Sequence, residues 1–241
     1  MGCDIRIGTA GWAIPKQHMA DFPGGGSHLE RYGRGLMATE INSSFYRPHR
    51  PATYERWAAS VPSAFRFAVK VPREISHLRR LVDTDEPLKR FLTEVRALGD
   101  RLGPLLLQLP PSFAYDEGQV RAFLEALRAQ FDGGVVIEPR HATWFTDAVD
   151  GVLTRLRAGR VAADPSLVPR AATPGGWPGI TYRRLHGSPQ MYHSTYEAGY
   201  LDATADRLRD TAAHTGESWC IFDNTANGAA AGDALSLLRR L

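Results

Sequence analysis

The chain has 241 residues, 43% of them hydrophobic and 23% charged, with a formal net charge of +3. This is the composition of a globular protein with a sizeable core, and it excludes a disordered or collagen-like chain. No apolar run approaches the ~20 residues of a membrane-spanning helix, and the two cysteines, Cys3 and Cys220, stand in no spacing that suggests a disulfide framework or a cysteine zinc site.

From its start the chain passes into an apolar run by residue 5, without the basic region and long apolar stretch of a secretory leader. A cytoplasmic location is therefore expected. Eight short β-like runs follow in order, at 5–8, 38–42, 65–71, 105–109, 135–138, 161–163, 180–185 and 219–222. Between most of them lie stretches with apolar residues at helical spacing, at 54–60, 88–98, 119–131, 145–156, 201–214 and 234–241. In 119–131, for example, Val120, Phe123, Leu124, Leu127 and Phe131 share one face, with Arg121, Glu125 and Arg128 outside. The Gly/Pro-rich stretches 23–26 and 173–179 read as loops within one domain, and no helical pattern follows the sixth run, so 166–179 is predicted to be an irregular crossover. Strand–helix alternation implies a parallel sheet with right-handed crossovers. Eight such units in a chain near the ~250 residues typical of the fold predict a single (β/α)₈ barrel of the TIM type, eight-stranded and parallel.

Nearly every apolar run ends in polar residues, and these carry the functional reading. The ends are Glu40 and Asn42, Lys70, Gln108, Glu138 with Arg140 and His141, Asp164, Arg184 with His186, and Asp223 with Asn224. Residues two apart on a strand share a face, so Glu40 points with Asn42, Glu138 with Arg140, and Arg184 with His186. In (β/α)₈ barrels the C-terminal strand ends supply the catalytic groups. Lys70, one of only three lysines, alternates with Phe67, Val69 and Val71 and is predicted to face the interior. There it either pairs with Glu40 or Glu138, binds an anion or oxyanion, or acts as a nucleophile after loss of its proton. His77 lies just past the third run, and Trp12, Phe45, Tyr46, Trp144 and Tyr182 border strand ends, where ring faces suit stacking on a sugar or a base. The small-residue stretch 227–232 before the last helix is a candidate for phosphate binding on backbone amides, although a close-packed turn explains it equally well.

No HExxH, GxGxxG, GxxxxGK[ST] or GxSxG pattern occurs, so neither a zincin site, a dinucleotide, a P-loop nucleotide nor a serine elbow is indicated. No cofactor is predicted. A divalent metal held by Glu40, Glu138, Asp164, His186 and Asp223 is the open alternative, opposed by Lys70, Arg140 and Arg184 in the same mouth.

Several of these strand ends form longer signatures. Gly8-Thr9-Ala10-Gly11-Trp12, Glu40-Ile41-Asn42-Ser43-Ser44-Phe45-Tyr46-Arg47-Pro48, Phe67-Ala68-Val69-Lys70, Ser76-His77, Leu102-Gly103-Pro104, Gln108-Leu109-Pro110-Pro111-Ser112-Phe113, Glu138-Pro139-Arg140-His141, Trp144, Arg184-Leu185-His186-Gly187 and Phe222-Asp223-Asn224 follow one another along nearly the whole chain. In these motifs the sequence resembles the YecE-like family of unknown function, DUF72. The resemblance implies a (β/α)₈ barrel and supplies no established activity. Asp223 stands where the resemblance leads us to expect an asparagine, and the segment 173–179 is shorter than expected.

The residues predict an enzyme acting on a small anionic or sugar-like substrate. Glu40, Lys70, Glu138 and His186 would be its acid–base groups, and Trp12, Asn42, Tyr46, His77, Gln108, Arg140, His141, Asp164, Arg184, Asp223 and Asn224 its binding groups. A metal-dependent isomerase- or endonuclease-like barrel is the alternative, and a non-catalytic nucleotide or nucleic-acid binder a further one. Nucleic acid is weakly supported, because the basic residues are spread rather than clustered, and no membrane association is expected.

Overall fold

The computed structural model describes residues 4–241, so Cys3 lies outside the described residues. In chain order the elements are β1 (Asp4–Ala10), α1 (His28–Gly35), β2 (Ala38–Ile41), α2 (Ser43–Tyr46), α3 (Pro51–Ala59), β3 (Arg66–Lys70), α4 (Asp85–Val95), β4 (Leu102–Gln108), α5 (Glu117–Arg128), β5 (Val135–Glu138), α6 (Asp147–Arg155), β6 (Ala158–Arg160), β7 (Ala162–Asp164), β8 (Gly175–Gly176), β9 (Ile180–Leu185), α7 (Ala198–Ala212), β10 (Glu217–Phe222) and α8 (Ala229–Leu238). No helix among the described residues is long and apolar enough to cross a membrane.

Helix starts follow local chemistry. Asp116 and Thr146 accept backbone N–H bonds at the heads of α5 and α6, which satisfies donors that a helix leaves orphaned. Helix α1 was not expected from periodicity. It is eight residues long with few apolar positions, and what defines it is a capping box in which Ser27 and Glu30 bond each other's backbone N–H groups.

The strands form a nearly closed, barrel-like sheet in the order β7-β9-β10-β1-β2-β3-β4-β5-β6-β8. The expectation of eight parallel strands needs correction: ten strands are present among the described residues, and β8 runs antiparallel to β6. The sixth predicted strand is longer than 161–163 and is broken in two at Val161. Its first part, β6, pairs with β5, and its second, β7, pairs with β9, so the two ends of the ladder meet along one stretch of chain. Segment 165–179 makes the next crossover without an α-helix, as the sequence predicted.

Two apolar layers flank the sheet. Outward-facing residues such as Phe67, Val69, Leu105, Leu107 and Ile137 pack beneath the helices. Inward-facing Ala38, Ala68, Leu106, Val136, Val161, Tyr182, Trp219 and Ile221 fill the interior. The rings of Tyr182 and Trp219 stack there at 5.9 Å.

Gly8 shows how tightly β1 meets β2. A Cβ at this position would lie 2.1 Å from the Ala38 carbonyl oxygen, against β2 backbone that has nothing flexible to yield. Gly8→Ala is expected to cost about 1–3 kcal/mol of stability through overpacking. Urea unfolding of the variant checks this, and an unchanged midpoint would show that the strands can separate at no cost.

Candidate functional site

The strand period places the site. Two residues beyond the inward-facing Ala38, Ala68, Leu106, Val136, Tyr182 and Ile221 stand Glu40, Lys70, Gln108, Glu138, Arg184 and Asp223, on the same face of their strands. The apolar interior is therefore capped by one layer of polar side chains at the C-terminal strand ends.

Arg184 is the centre of that layer and is fully buried. Its Nε and Nη2 donate to the two Glu40 carboxylate oxygens at 3.1 and 2.7 Å, and Nη1 donates to Glu138 at 2.7 Å and to Gln108 Oε1 at 3.3 Å. Nη2 also donates to Asp223 Oδ2 at 3.0 Å. All five guanidinium N–H donors thus have an acceptor, which a lysine could not provide. The Tyr182 hydroxyl donates to Glu40 at 2.9 Å. Arg140 adds a 2.6 Å ion pair to Glu138. His186 lies between two carboxylates, its Nε2 3.0 Å from Glu138 and its Nδ1 3.0 Å from Asp223.

These contacts set the charge states. Burial alone would raise the Glu138 carboxyl, but Arg184, Arg140 and His186 outweigh it and hold the group well below the usual carboxylate range. Asp223 is likewise lowered, burial being overcome by Arg184, His186 and Lys70. Both carboxylates have folded-state values below their unfolded ones, so their contribution to stability is complete above about pH 4.5 and is lost as pH falls through the folded values. Acid unfolding should accordingly steepen below pH 4.5 and flatten in Glu138→Gln. Urea midpoints between pH 7 and pH 3 measure it, and parallel curves for the two proteins would refute it.

Above this layer opens a cavity of about 560 Å³ whose wall includes Asn42, Tyr46, Lys70, Arg73, His77, Gln108, Tyr192 and Asp223. Lys70 is 7% exposed, and no carboxylate lies within ion-pair distance of it among the described residues. Its ammonium stands 4.4 Å from the centroid of the Phe45 ring. The ion pair with Glu40 or Glu138 left open by the sequence is thus not formed, because Arg184 takes both carboxylates. Burial, and then Arg184, lower the Lys70 pKa, with Glu40, Glu138 and Asp223 opposing. Burial, Lys70 and Arg73 lower that of His77. Both bonds to Asp223 fall on Oδ2, which leaves Oδ1 without a hydrogen-bond partner among the described residues. Asn42 Oδ1 is buried and has none either. Tyr46, 73% exposed, stands at the rim.

The predicted residues therefore separate into groups. Lys70, Asn42, Tyr46, His77, Gln108 and Asp223 line the cavity, whereas Glu40, Glu138, Arg184 and His186 are wholly buried in the layer behind it. Four others do not join the site. Asp164 accepts a 2.8 Å bond from the Tyr196 hydroxyl and lies on the outer side of the sheet. Buried Asn224 bonds the Ser194 carbonyl and Asp233. His141 caps a short 3₁₀ turn through Thr143, and Trp12 packs edge-on against Trp57 at 5.0 Å. Arg73, at the head of the π-helical turn Glu74–Leu78, and Tyr192 and Thr225, in turns, also line the cavity and carry no strand-end signal in the sequence.

The donor set considered for a divalent metal is not assembled. Asp164 is elsewhere, and Glu138 and Asp223 are each engaged by both Arg184 and His186. Among the described residues no group of three or more His, Cys, Asp or Glu is placed to hold a metal.

A family profile described as "Protein of unknown function DUF72" matches residues 6–241. Among curated proteins, UPF0759 protein YecE of Escherichia coli K12 is 34% identical over 142 residues, covering 58% of this chain and 50% of that protein. UPF0759 protein YunF of Bacillus subtilis 168 is 26% identical over 152 residues, covering 59% and 52%. The chain spans about half the length of these curated relatives. Crystal structures of DUF72 family proteins from Enterococcus faecalis V583 and Thermotoga maritima MSB8 superpose with TM-scores of 0.81 and 0.78, at 21% and 22% identity, over 98% of this chain and 95% and 98% of theirs. At that identity the likeness concerns the fold.

Proposed function

Because the chain belongs to DUF72, a family of proteins of unknown function, its chemistry has to be read from its own side chains, and we propose that it is a (β/α)₈-type barrel enzyme acting on a small anionic or polyhydroxylated substrate by acid–base catalysis. The observation that carries this reading is Lys70, a buried cation with no ion-pair partner that opens on a cavity shared with the buried, unsatisfied Asn42 Oδ1 and with Asp223, whose Oδ1 accepts no bond among the described residues. A buried cation of this kind is costly unless a ligand supplies the missing negative charge. The cavity is of the size that takes small metabolites.

The division of labour follows from the geometry. Lys70, its pKa lowered by burial and Arg184, holds a substrate oxyanion or exchanges a proton with the reacting group. Asp223 is kept ionised by Arg184 and His186 and presents Oδ1 to a substrate hydroxyl. Asn42 accepts from a second hydroxyl, and Gln108 is fixed by Arg184. Glu40, Glu138, Arg184, Arg140 and His186 act from behind as positioning residues. They hold Asp223 and Gln108 in place without touching the ligand.

The test is a thermal-shift panel of phosphate, sulfate, sugar phosphates, hydroxy acids and neutral sugars, with and without divalent metals. A ligand that binds only the native state raises the midpoint. Saturable stabilisation by an anionic or polyhydroxylated compound, lost in Asp223→Asn, is the expected outcome. Stabilisation by divalent metal ions alone would overturn the reading in favour of a metal-dependent barrel.

A further inference from the structure

The crossover without a helix leaves an opening on the outer face of the sheet. Between β7, β9 and α7 the cover is the irregular segment 165–179, and beneath it lies a cavity of about 230 Å³ whose wall includes Asp164, Thr173, Arg183, Tyr200 and Arg207. Arg183 alternates with the inward-facing Tyr182 and Arg184, so its side chain points outward into this space. It is 7% exposed. Its side-chain hydrogen bond goes to the Ala172 carbonyl at a long 3.4 Å, and no carboxylate lies within ion-pair distance among the described residues. Burial lowers its pKa, Arg207 adds like-charge repulsion, and Cys220 and Tyr200 oppose them only in part.

Arg207 lies at the same opening, 5.9 Å from the Tyr200 ring centroid, and it too has no carboxylate at ion-pair distance among the described residues. Tyr200 is raised by burial and by Asp164, so it stays a neutral hydroxyl. The carboxylate of Asp164 is engaged by Tyr196 at 2.8 Å and acts on Tyr196 and Tyr200 rather than on Arg183. A nine-tenths-buried guanidinium with one weak neutral acceptor, beside a second guanidinium and a half-open cavity, lacks only its counter-ion.

We propose that this outer cavity is a second ligand site, binding one small oxyanion of phosphate or sulfate size between Arg183 and Arg207. Planar guanidinium forks match the edges of a tetrahedral oxyanion and bind it in pairs of parallel hydrogen bonds. The volume admits one such ion with a few waters, at roughly 30 Å³ per water. The site lies on the opposite face of the sheet from Lys70 and does not depend on the function proposed for the mouth.

Equilibrium dialysis with radiolabelled inorganic phosphate, paired with thermal unfolding in phosphate-free buffer, tests it. Wild-type protein should bind phosphate saturably, and Lys70→Met should retain that binding. Arg183→Met should lose it while unfolding at the same or a higher temperature without phosphate, because an apolar side chain replaces an uncompensated buried charge. Arg207→Gln, a surface change that leaves the fold intact, should weaken binding by at least about tenfold, the loss expected of one charged hydrogen bond. Absence of saturable binding, or binding that both arginine variants keep, overturns the proposal. Loss in Lys70→Met alone also overturns it and assigns the phosphate to the mouth.

Discussion

Arg184→Met is expected to destabilise the protein by about 3–5 kcal/mol, the range for breaking a buried ion pair by removing one partner. Glu40, Glu138 and Asp223 would together lose four of the five bonds that Arg184 donates, and Glu40 and Glu138 have no water to replace them, both being wholly buried. Arg140 and His186 still reach Glu138 in the variant, and His186 still reaches Asp223. Glu40 keeps only the Tyr182 hydroxyl.

The sign of the pH dependence separates this from a loss of packing. In the wild-type protein Glu138 and Asp223 are lowered, so their contribution is level between pH 8 and pH 5 and is lost only below about pH 4.5. Without Arg184 the leading lowering influence on Glu138 and Asp223 is gone while their burial remains, so their folded values rise against the partial hold of Arg140 and His186, and the variant gains stability relative to wild type as pH falls toward 5. Arg184→Lys should rescue little, because a single ammonium cannot supply five donors in a plane. Urea unfolding at pH 5 and pH 8 measures both effects. A loss under 1 kcal/mol with wild-type pH dependence would show that the three carboxylates do not rely on Arg184.

How much of the site was legible in the sequence follows from the parity of each strand. Glu40, Lys70, Gln108, Glu138, Arg184 and Asp223 all stand two residues past an inward-facing apolar side chain. A strand's period of two carries that direction forward without further information. The same rule sorts the residues that stand apart from the cavity. Asn224 follows inward Asp223 and Asp164 stands three beyond inward Val161, so both fall on the outer face, whereas His141 lies past the end of β5 and caps a 3₁₀ turn. Trp12 comes after Gly11, whose φ of +78° turns the chain away from β1. Arg73, Tyr192 and Thr225 could not be found this way, since they reach the cavity from turns where no strand periodicity applies. Tyr192 is held by its own backbone, at a φ of +68° with its N–H donating to the His186 carbonyl. The split of the sixth strand and the antiparallel β8 left no signal either, because three-residue and two-residue strands are too short to show a pattern. The buried status of Glu40 and Glu138 was equally hidden. It depends on one arginine from β9 meeting carboxylates from β2, β5 and the end of β10, a convergence only the closed arrangement of strands produces.

Lys70→Met is expected to raise stability while removing ligand binding, a combination that a structural lysine would not give. The folded pKa of Lys70 is lowered from 10.5 by burial and Arg184, so at neutral pH the unfolded chain holds that proton more tightly than the native protein does. The sign is that of a destabilising charge: stability rises with pH from the folded value up to about 10.5, and below that range the cost of the buried ammonium is present in full. Methionine fills a similar volume without charge and can pack against Phe45, so the midpoint of unfolding should rise and the slope of stability against pH in the alkaline range should flatten. Binding should move the other way. A charged hydrogen bond to an anionic ligand contributes about 1.5–3 kcal/mol, so loss of the ammonium should weaken affinity for the compound found in the thermal-shift panel by roughly 10- to 100-fold. Lys70→Arg tests geometry rather than charge, since a planar fork presents its donors to a ligand differently from a compact ammonium, and it should recover only part of the affinity. Calorimetric titration of the three proteins, with urea unfolding at pH 7 and pH 10, reads both effects. A Lys70→Met protein less stable than wild type, with affinity unchanged, would place Lys70 in the framework of the barrel and leave Asp223 and Asn42 as the only groups on which a substrate-binding role could rest.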